Sequence, residues 1–175
     1  MIDLNQAPKV LISAEQIAAR NKELAAELTK KYADKCPLFI STLVGSVFFA
    51  TDLLLELDFN VELDFVRTSS YGRGDKSSGN VIVSSMPLLP LKDRHVVIIE
   101  DIIDSGNTLF KLKKLFMEEG PASLEVCSLL DKPSRREVDF VADYVGFTIP
   151  DYFVVGYGLD YANHFRNLKD VCYFE

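Results

Sequence analysis

The sequence predicts an α/β protein with a mostly parallel central sheet flanked by helices. Two observations carry this. Residues 95–99, His-Val-Val-Ile-Ile, form an unbroken and largely β-branched run, as expected of a strand covered on both faces. Around it, segments with helical and with strand character alternate along the chain, without repeats or low-complexity stretches. In such sheets ligands bind beyond the carboxyl ends of the strands, so chemistry is expected just after Thr42, Ile99, Leu130 and Val155.

The elements follow in order. Ser13 and Gln16 have capping-box spacing, and the Ala-, Leu-, Glu- and Lys-rich segment to about residue 31 reads as a helix with Ile17, Leu24 and Leu28 on its apolar stripe. Pro37 opens a short strand over residues 38–41; residues 42–46 read as a loop and 47–57 as a buried helix. Val61, Leu63 and Phe65 alternate with Glu62 and Asp64, the period of a half-exposed strand. Residues 68–80 hold Ser, Gly and charge in place of apolar periodicity, which inside a compact domain predicts a lid, and 81–83 resume as a strand. After the strand at 95–99, a helix carries Leu109, Leu112, Leu115 and Phe116 on one face, and Gly120 with Pro121 stops it. Residues 124–130, 152–156 and 171–174 read as further strands.

Composition narrows the function classes. A hydrophobic share of 48% excludes wholesale disorder, and 175 residues fit one domain. No apolar run approaches the ~20 residues of a membrane helix. Residues 1–5 show neither the basic nor the apolar region of a secretory signal, which predicts a cytoplasmic protein. A net charge of −7 argues against a nonspecific nucleic-acid binder, which needs a basic face to displace counterions. It still allows a small polyanion, which carboxylates can hold through a metal. Cys36, Cys127 and Cys172 form neither a zinc pattern nor a disulfide framework, and the apolar neighbours of Cys127 and Cys172 predict buried, inert thiols.

The chemistry lies in Glu100-Asp101-Ile102-Ile103-Asp104-Ser105-Gly106-Asn107-Thr108. Asp104 to Thr108 is a turn of small residues leading into a helix. Its amides, hydroxyls and helix dipole can cradle a phosphate, with Gly106 permitting close approach. Glu100 and Asp101 would repel that phosphate alone. Sugar hydroxyls that donate to them, or a hard divalent cation between the two, remove the conflict, so the implied ligand is a phosphorylated sugar with Mg²⁺. An acidic strand end followed by a plain helix cap is the bland alternative for any one of these residues.

The string, preceded by Val97-Ile98-Ile99, closely resembles the phosphoribosyl pyrophosphate signature of type I phosphoribosyltransferases, in the hypoxanthine-guanine branch. The likeness runs from about Leu38 to Phe174. Leu43-Val44-Gly45-Ser46 resembles the family's pyrophosphate loop. Ser69-Ser70-Tyr71-Gly72 with Ser77-Ser78-Gly79 resembles its mobile flap, and the stretch from Val145 to Asp151 running into Phe153 to Tyr161 resembles its purine-binding hood. The resemblance implies one domain over residues 1–175, about 36–132 as core and about 133–175, with N-terminal residues, as a small hood.

It further implies purine salvage: transfer of the phosphoribosyl group from phosphoribosyl pyrophosphate to hypoxanthine or guanine, giving IMP or GMP, by a homodimer or homotetramer that binds neither nucleic acid nor membrane. Glu100 and Asp101 would bind the ribose hydroxyls and Mg²⁺, with Asp160 a further metal contact through water. Asp104, Ser105, Gly106, Asn107 and Thr108 would hold the 5′-phosphate, and Asp104 would also be the general base. Val44, Gly45 and Arg166 would meet pyrophosphate, and the Val44–Gly45 peptide corresponds to one that can be cis. Lys132, Phe153, Val154 and Asp160 would bind the purine, and Ser70 and Tyr71 would close over the site. Many relatives carry a basic residue where Val44 stands, and some where Asn107 stands; here neither side chain supplies charge. His95 and His164 match no catalytic role. A xanthine-preferring relative and a non-catalytic nucleotide sensor on the same fold are the rival readings.

Overall fold

A computed structural model describes residues 7–70 and 81–174. The chain enters through a strand, β1 (Lys9–Ile12), which residues 7–12 do not announce by pattern. Ser13 then caps α1 (Ala14–Tyr32): its hydroxyl accepts from the Gln16 N–H, and the Gln16 side chain accepts from the Ser13 N–H at 2.9 Å. Next come β2 (Leu38–Leu43), α2 (Val47–Leu55), β3 (Glu62–Ser70), β4 (Val81–Ser85), β5 (His95–Ile103), α3 (Asn107–Glu118) and β6 (Ser123–Asp131). A 3₁₀ turn (Pro133–Arg135) precedes β7 (Tyr144–Thr148), β8 (Val154–Val155) and β9 (Val171–Tyr173).

The main sheet has the order β4-β3-β2-β5-β6-β7, parallel except for β4 at its edge. Alternate residues of β5 face opposite layers. Val97 and Ile99 pack with Ile17, Leu24 and Leu28 of α1, while Val96 and Ile98 pack with Leu109, Leu112 and Phe116 of α3. That two-sided cover is why the run is apolar without alternation. Cys127 and Cys172 are buried, and Cys36 is exposed. Among the described residues no helix is long and apolar enough to cross a membrane.

The structure departs from the sequence reading at several places. β5 runs through the acidic pair to Ile103, pairing Glu100 with Ser128 and Ile102 with Leu130, so the carboxylates sit within the strand. Of residues 152–156 only Val154 and Val155 form a strand, and it pairs antiparallel with β9 in a separate sheet of order β1-β9-β8. Left-handed backbone at Gly156 (φ 92°) and Gly158 (φ 98°) turns the chain there. The edge of the main sheet is instead β7, half-buried along most of its length and so without a clear pattern. Gly146 permits this pairing, since a Cβ there would lie 2.5 Å from the Leu129 carbonyl oxygen. The helix expected to be buried throughout is covered on one face: Phe49, Ala50 and Leu53 are buried, whereas Phe48 and Leu55 are exposed. β3 continues to Ser70 where a loop was expected from residue 68, and residues 71–80, with Tyr71 and most of the expected lid, lie outside the described residues.

The alternation in β3 is inverted. Val66 and Asp64 are buried, and Leu63 and Phe65 are exposed. Asp64 tolerates burial because its oxygens accept from the N–H groups of Phe65, Leu88 and Leu89, each at 2.7 Å. Asp64→Ala should therefore cost about 1–3 kcal/mol, since it strands backbone donors. Chemical denaturation should show a lower midpoint, and an unchanged midpoint would contradict the clasp.

Candidate active site

At the carboxyl end of β5 the site begins with two acids. Glu100 is buried; its Oε1 accepts from the Thr42 hydroxyl at 2.6 Å and from the Asp101 N–H at 3.2 Å. Asp101 is half-buried, and its Oδ1 accepts from the Ile102 N–H at 2.9 Å. Burial pushes the Glu100 carboxyl well above its ordinary range, and the charge of Asp101 adds to this. Burial also raises Asp101, partly offset by hydrogen bonds from Glu100 and backbone amides and by the charge of Arg166. A pair of oxygen donors short of positive charge fits a hard divalent cation, which takes one or two carboxylates and completes its shell with substrate oxygens and water. Among the described residues no group of three or more His, Cys, Asp or Glu is arranged to hold a metal.

Beside the acids lies the loop after β2. Its cis peptide is Leu43–Val44, one residue before the Val44–Gly45 bond that the resemblance indicated. Gly45 has a different task. A Cβ on it would fall 1.6 Å from Asp101 Oδ2, so only glycine lets the carboxylate press against this backbone. The Gly45 carbonyl oxygen would in turn lie 2.1 Å from a Cβ on Gly158. Two glycines thus interlock the loop, the strand end and the chain that follows β8. Arg166 secures that third segment, donating from Nη1 to the Gly158 carbonyl at 2.5 Å and pairing through Nη2 with Asp160 Oδ1 at 2.6 Å. Asp160 Oδ2 also accepts from the Asn163 N–H at 2.7 Å, and Val44 is exposed.

Past Ile103 the chain turns at Gly106, which has φ 82° and begins α3. A glycine there brings no side-chain acceptor to the amides of the first turn; the Asn107 N–H reaches Ser105 Oγ at 3.3 Å. The Asn107 side chain points elsewhere, donating to Glu137 Oε2 at 2.7 Å. Thr108 is half-buried in that first turn. Asp104 stays exposed, and one of its oxygens lies 3.2 Å from Lys132 Nζ. A lysine at a strand end reads as a surface residue, yet Lys132 is only 3% exposed, and its N–H donates to the Ile103 carbonyl at 2.9 Å. Phe153 is half exposed and meets Tyr161 edge-on at 5.7 Å, whereas its neighbours Val154 and Val155 are buried. Ser70 ends β3.

Three residues in this arrangement escaped the sequence reading. Thr42 was legible only as a strand end, Gly158 only as one glycine among several, and Arg136, whose side chain lies against Gly106, carried no local signal.

Residues 11–162 match the family model described as the phosphoribosyl transferase domain. The hypoxanthine-guanine phosphoribosyltransferase of Bacillus subtilis is 50% identical over 160 residues, covering 91% of this chain and 89% of that protein. The enzyme of the same name from Streptococcus pneumoniae is 46% identical over 164 residues, covering 94% and 91%. This chain belongs to the phosphoribosyltransferase family, in its hypoxanthine-guanine branch. A crystal structure of a hypoxanthine-guanine phosphoribosyltransferase from Bacillus anthracis superposes with a TM-score of 0.92 at 40% identity, covering 97% of this chain and all of the other. Residues 100–108 fall within the matched residues.

The raised acids give a pH signature. A carboxyl whose value rises on folding favours the fold while protonated. For Glu100 that contribution is whole below its ordinary 4.5 and is lost as pH climbs through the higher folded-state value. Without divalent cation, Glu100→Gln should therefore unfold at a higher temperature than the unsubstituted chain at pH 8, and at nearly the same temperature at pH 4. Thermal denaturation at the two pH values tests this, and an equal gap at both would contradict the assignment.

Proposed function

We propose that this chain transfers the 5-phosphoribosyl group of phosphoribosyl pyrophosphate to N9 of hypoxanthine or guanine, releasing pyrophosphate and yielding IMP or GMP. The observation that carries the reading is the buried Lys132 ammonium held 3.2 Å from Asp104, where the phosphate turn begins. On a 6-oxopurine the O6 and N7 atoms share one edge. A neighbouring cation and carboxylate can meet both, Lys132 donating to O6 and Asp104 accepting the proton at N7. The 6-amino group of adenine would instead set a donor against the ammonium, so selection works by repulsion as well as attraction.

The other residues take roles in keeping with their places. The turn of Asp104, Ser105, Gly106, Asn107 and Thr108 offers amides and hydroxyls to the 5′-phosphate. Glu100 and Asp101 accept from the ribose hydroxyls and would hold Mg²⁺, which supplies positive charge to the departing pyrophosphate. Asp160 would help to hold that ion, and Val44, Gly45 and Arg166 would border the pyrophosphate. Phe153 offers an open aromatic face to the base and Val154 a backbone edge. Ser70 and Tyr71 belong to a flap that excludes water from the activated sugar. Bond breaking at C1′ leaves an oxocarbenium-like sugar, and the proton lost from the purine goes to Asp104.

In domain terms, residues 1–175 act as one unit, with 36–132 as the core and the β1-β9-β8 sheet belonging to the hood. Exposed Phe48, Leu63 and Phe65 leave apolar surface that a homodimer or homotetramer would cover. The reaction belongs in the cytoplasm, where purines are salvaged.

A spectrophotometric assay with Mg²⁺, phosphoribosyl pyrophosphate and each of hypoxanthine, guanine, xanthine and adenine tests the reading. Turnover of the first two is expected, and no transfer to either would overturn it. Asp104→Asn should lower turnover by about 10²–10⁴-fold while substrate still binds. Lys132→Ala should narrow the preference over adenine; unaltered selectivity would remove Lys132 from base recognition.

A further inference from the structure

Arg136 is a partly buried cation with one shielded, unmatched donor. It follows the 3₁₀ turn Pro133–Arg135, and its Nη2 is paired with Asp131 Oδ1. Its Nη1 is shielded from solvent and has no hydrogen-bond partner. A buried donor in that state is costly, so its persistence needs a reason. The guanidinium lies against the phosphate turn: a Cβ on Gly106 would meet Arg136 Cδ at 3.0 Å and Arg136 Nη1 at 3.2 Å.

The next two residues grip the same turn. The Glu137 N–H donates to the Ser105 carbonyl at 2.9 Å, and the Glu137 side chain accepts from Asn107 Nδ2 at 2.7 Å. Val138 Cγ2 lies 3.1 Å from the same position on Gly106. At its other end this segment is fastened by the Lys132 N–H to the Ile103 carbonyl at 2.9 Å. The segment therefore brackets the turn from Ile103 to Asn107 on the side where Gly106 has no side chain.

We propose that Arg136 is a positioning residue for the 5′-phosphate turn, an inference that rests on the phosphoribosyl-transfer reading above. Amides aimed at a phosphate send the carbonyls of the same peptides the opposite way. Arg136 Nη1 lies beside Gly106 as a spare donor for such a carbonyl when the phosphate is bound. Its charge also reaches the phosphate across a glycine, in a partly buried setting where screening is weak. Arg136 touches neither base nor sugar, so its effect belongs to binding of the phosphorylated substrate.

The test is steady-state kinetics of the whole protein with hypoxanthine, phosphoribosyl pyrophosphate and Mg²⁺. Arg136→Ala should raise KM for phosphoribosyl pyrophosphate by about tenfold or more, an effect of about 1.4 kcal/mol, and change KM for hypoxanthine and kcat by less than about threefold. Arg136→Lys should recover part of the loss. An unchanged KM for phosphoribosyl pyrophosphate, or equal damage to both KM values and kcat, would overturn the proposal. Should Arg136→Ala fail to fold because Asp131 loses its partner, the paired variant Asp131→Asn/Arg136→Gln removes both charges, and the same split in KM is required of it. Absence of transfer by the unsubstituted chain would instead overturn the functional reading, whereas an active chain with an indifferent Arg136 would overturn only this one.

Discussion

Two adjacent carboxylates, one buried and one half-buried, at the end of the central strand are the constraint around which the rest is arranged. Desolvation works against their charge, and the charge of Asp101 adds to the burden on Glu100. The fold answers with the Thr42 hydroxyl, with backbone amides and with the charge of Arg166. These partners offset the burial only in part. A site left short of positive charge is a poor choice for stability and a suitable one for a cation. The cost is borne by a sheet whose strands are anchored in apolar layers on both faces.

Close approach is the second theme. Asp101 against Gly45 and Gly45 against Gly158 are contacts that a Cβ would prevent, and Arg136 lies so close to Gly106 that a Cβ there would crowd it. Through them, four stretches distant in sequence meet around one volume. The glycine at 106 also has a left-handed backbone, so conformation and space both require it. Longer polar links hold the small sheet in place over this volume. Tyr157 donates to Asp52 at 2.7 Å and accepts from Asn21 at 3.1 Å, tying the chain after β8 to both α1 and α2. Asp170 accepts from the Ala14 N–H at 2.7 Å, so the start of α1 is fastened to the end of the chain.

Elements whose burial follows from their own composition were legible in the sequence. The strand at residues 95–99, the capped α1 and the stripe of α3 have local patterns strong enough to state their environment. The run from Glu100 to Thr108 was legible in part: the turn and the helix start stood out, whereas the acids proved to belong to β5 itself. The reading failed where a neighbour decides. Leu63 and Phe65 look like core residues beside Asp64, but the amides of Leu88 and Leu89 draw the aspartate inward. β7 has no pattern of its own and takes its place from β6, and residues 152–156 look like a central strand until Gly156 and Gly158 turn them into a separate small sheet.

By itself, then, the sequence determined the fold class and the family likeness, since these rest on local patterns and on residues adjacent in the chain. Tertiary structure alone decided that Lys132 is buried against Asp104, that Phe153 is open, and that Gly45 and Gly158 make room for their neighbours. Burial and close approach are properties of pairs far apart in sequence, and no local pattern encodes how near two distant backbones will come.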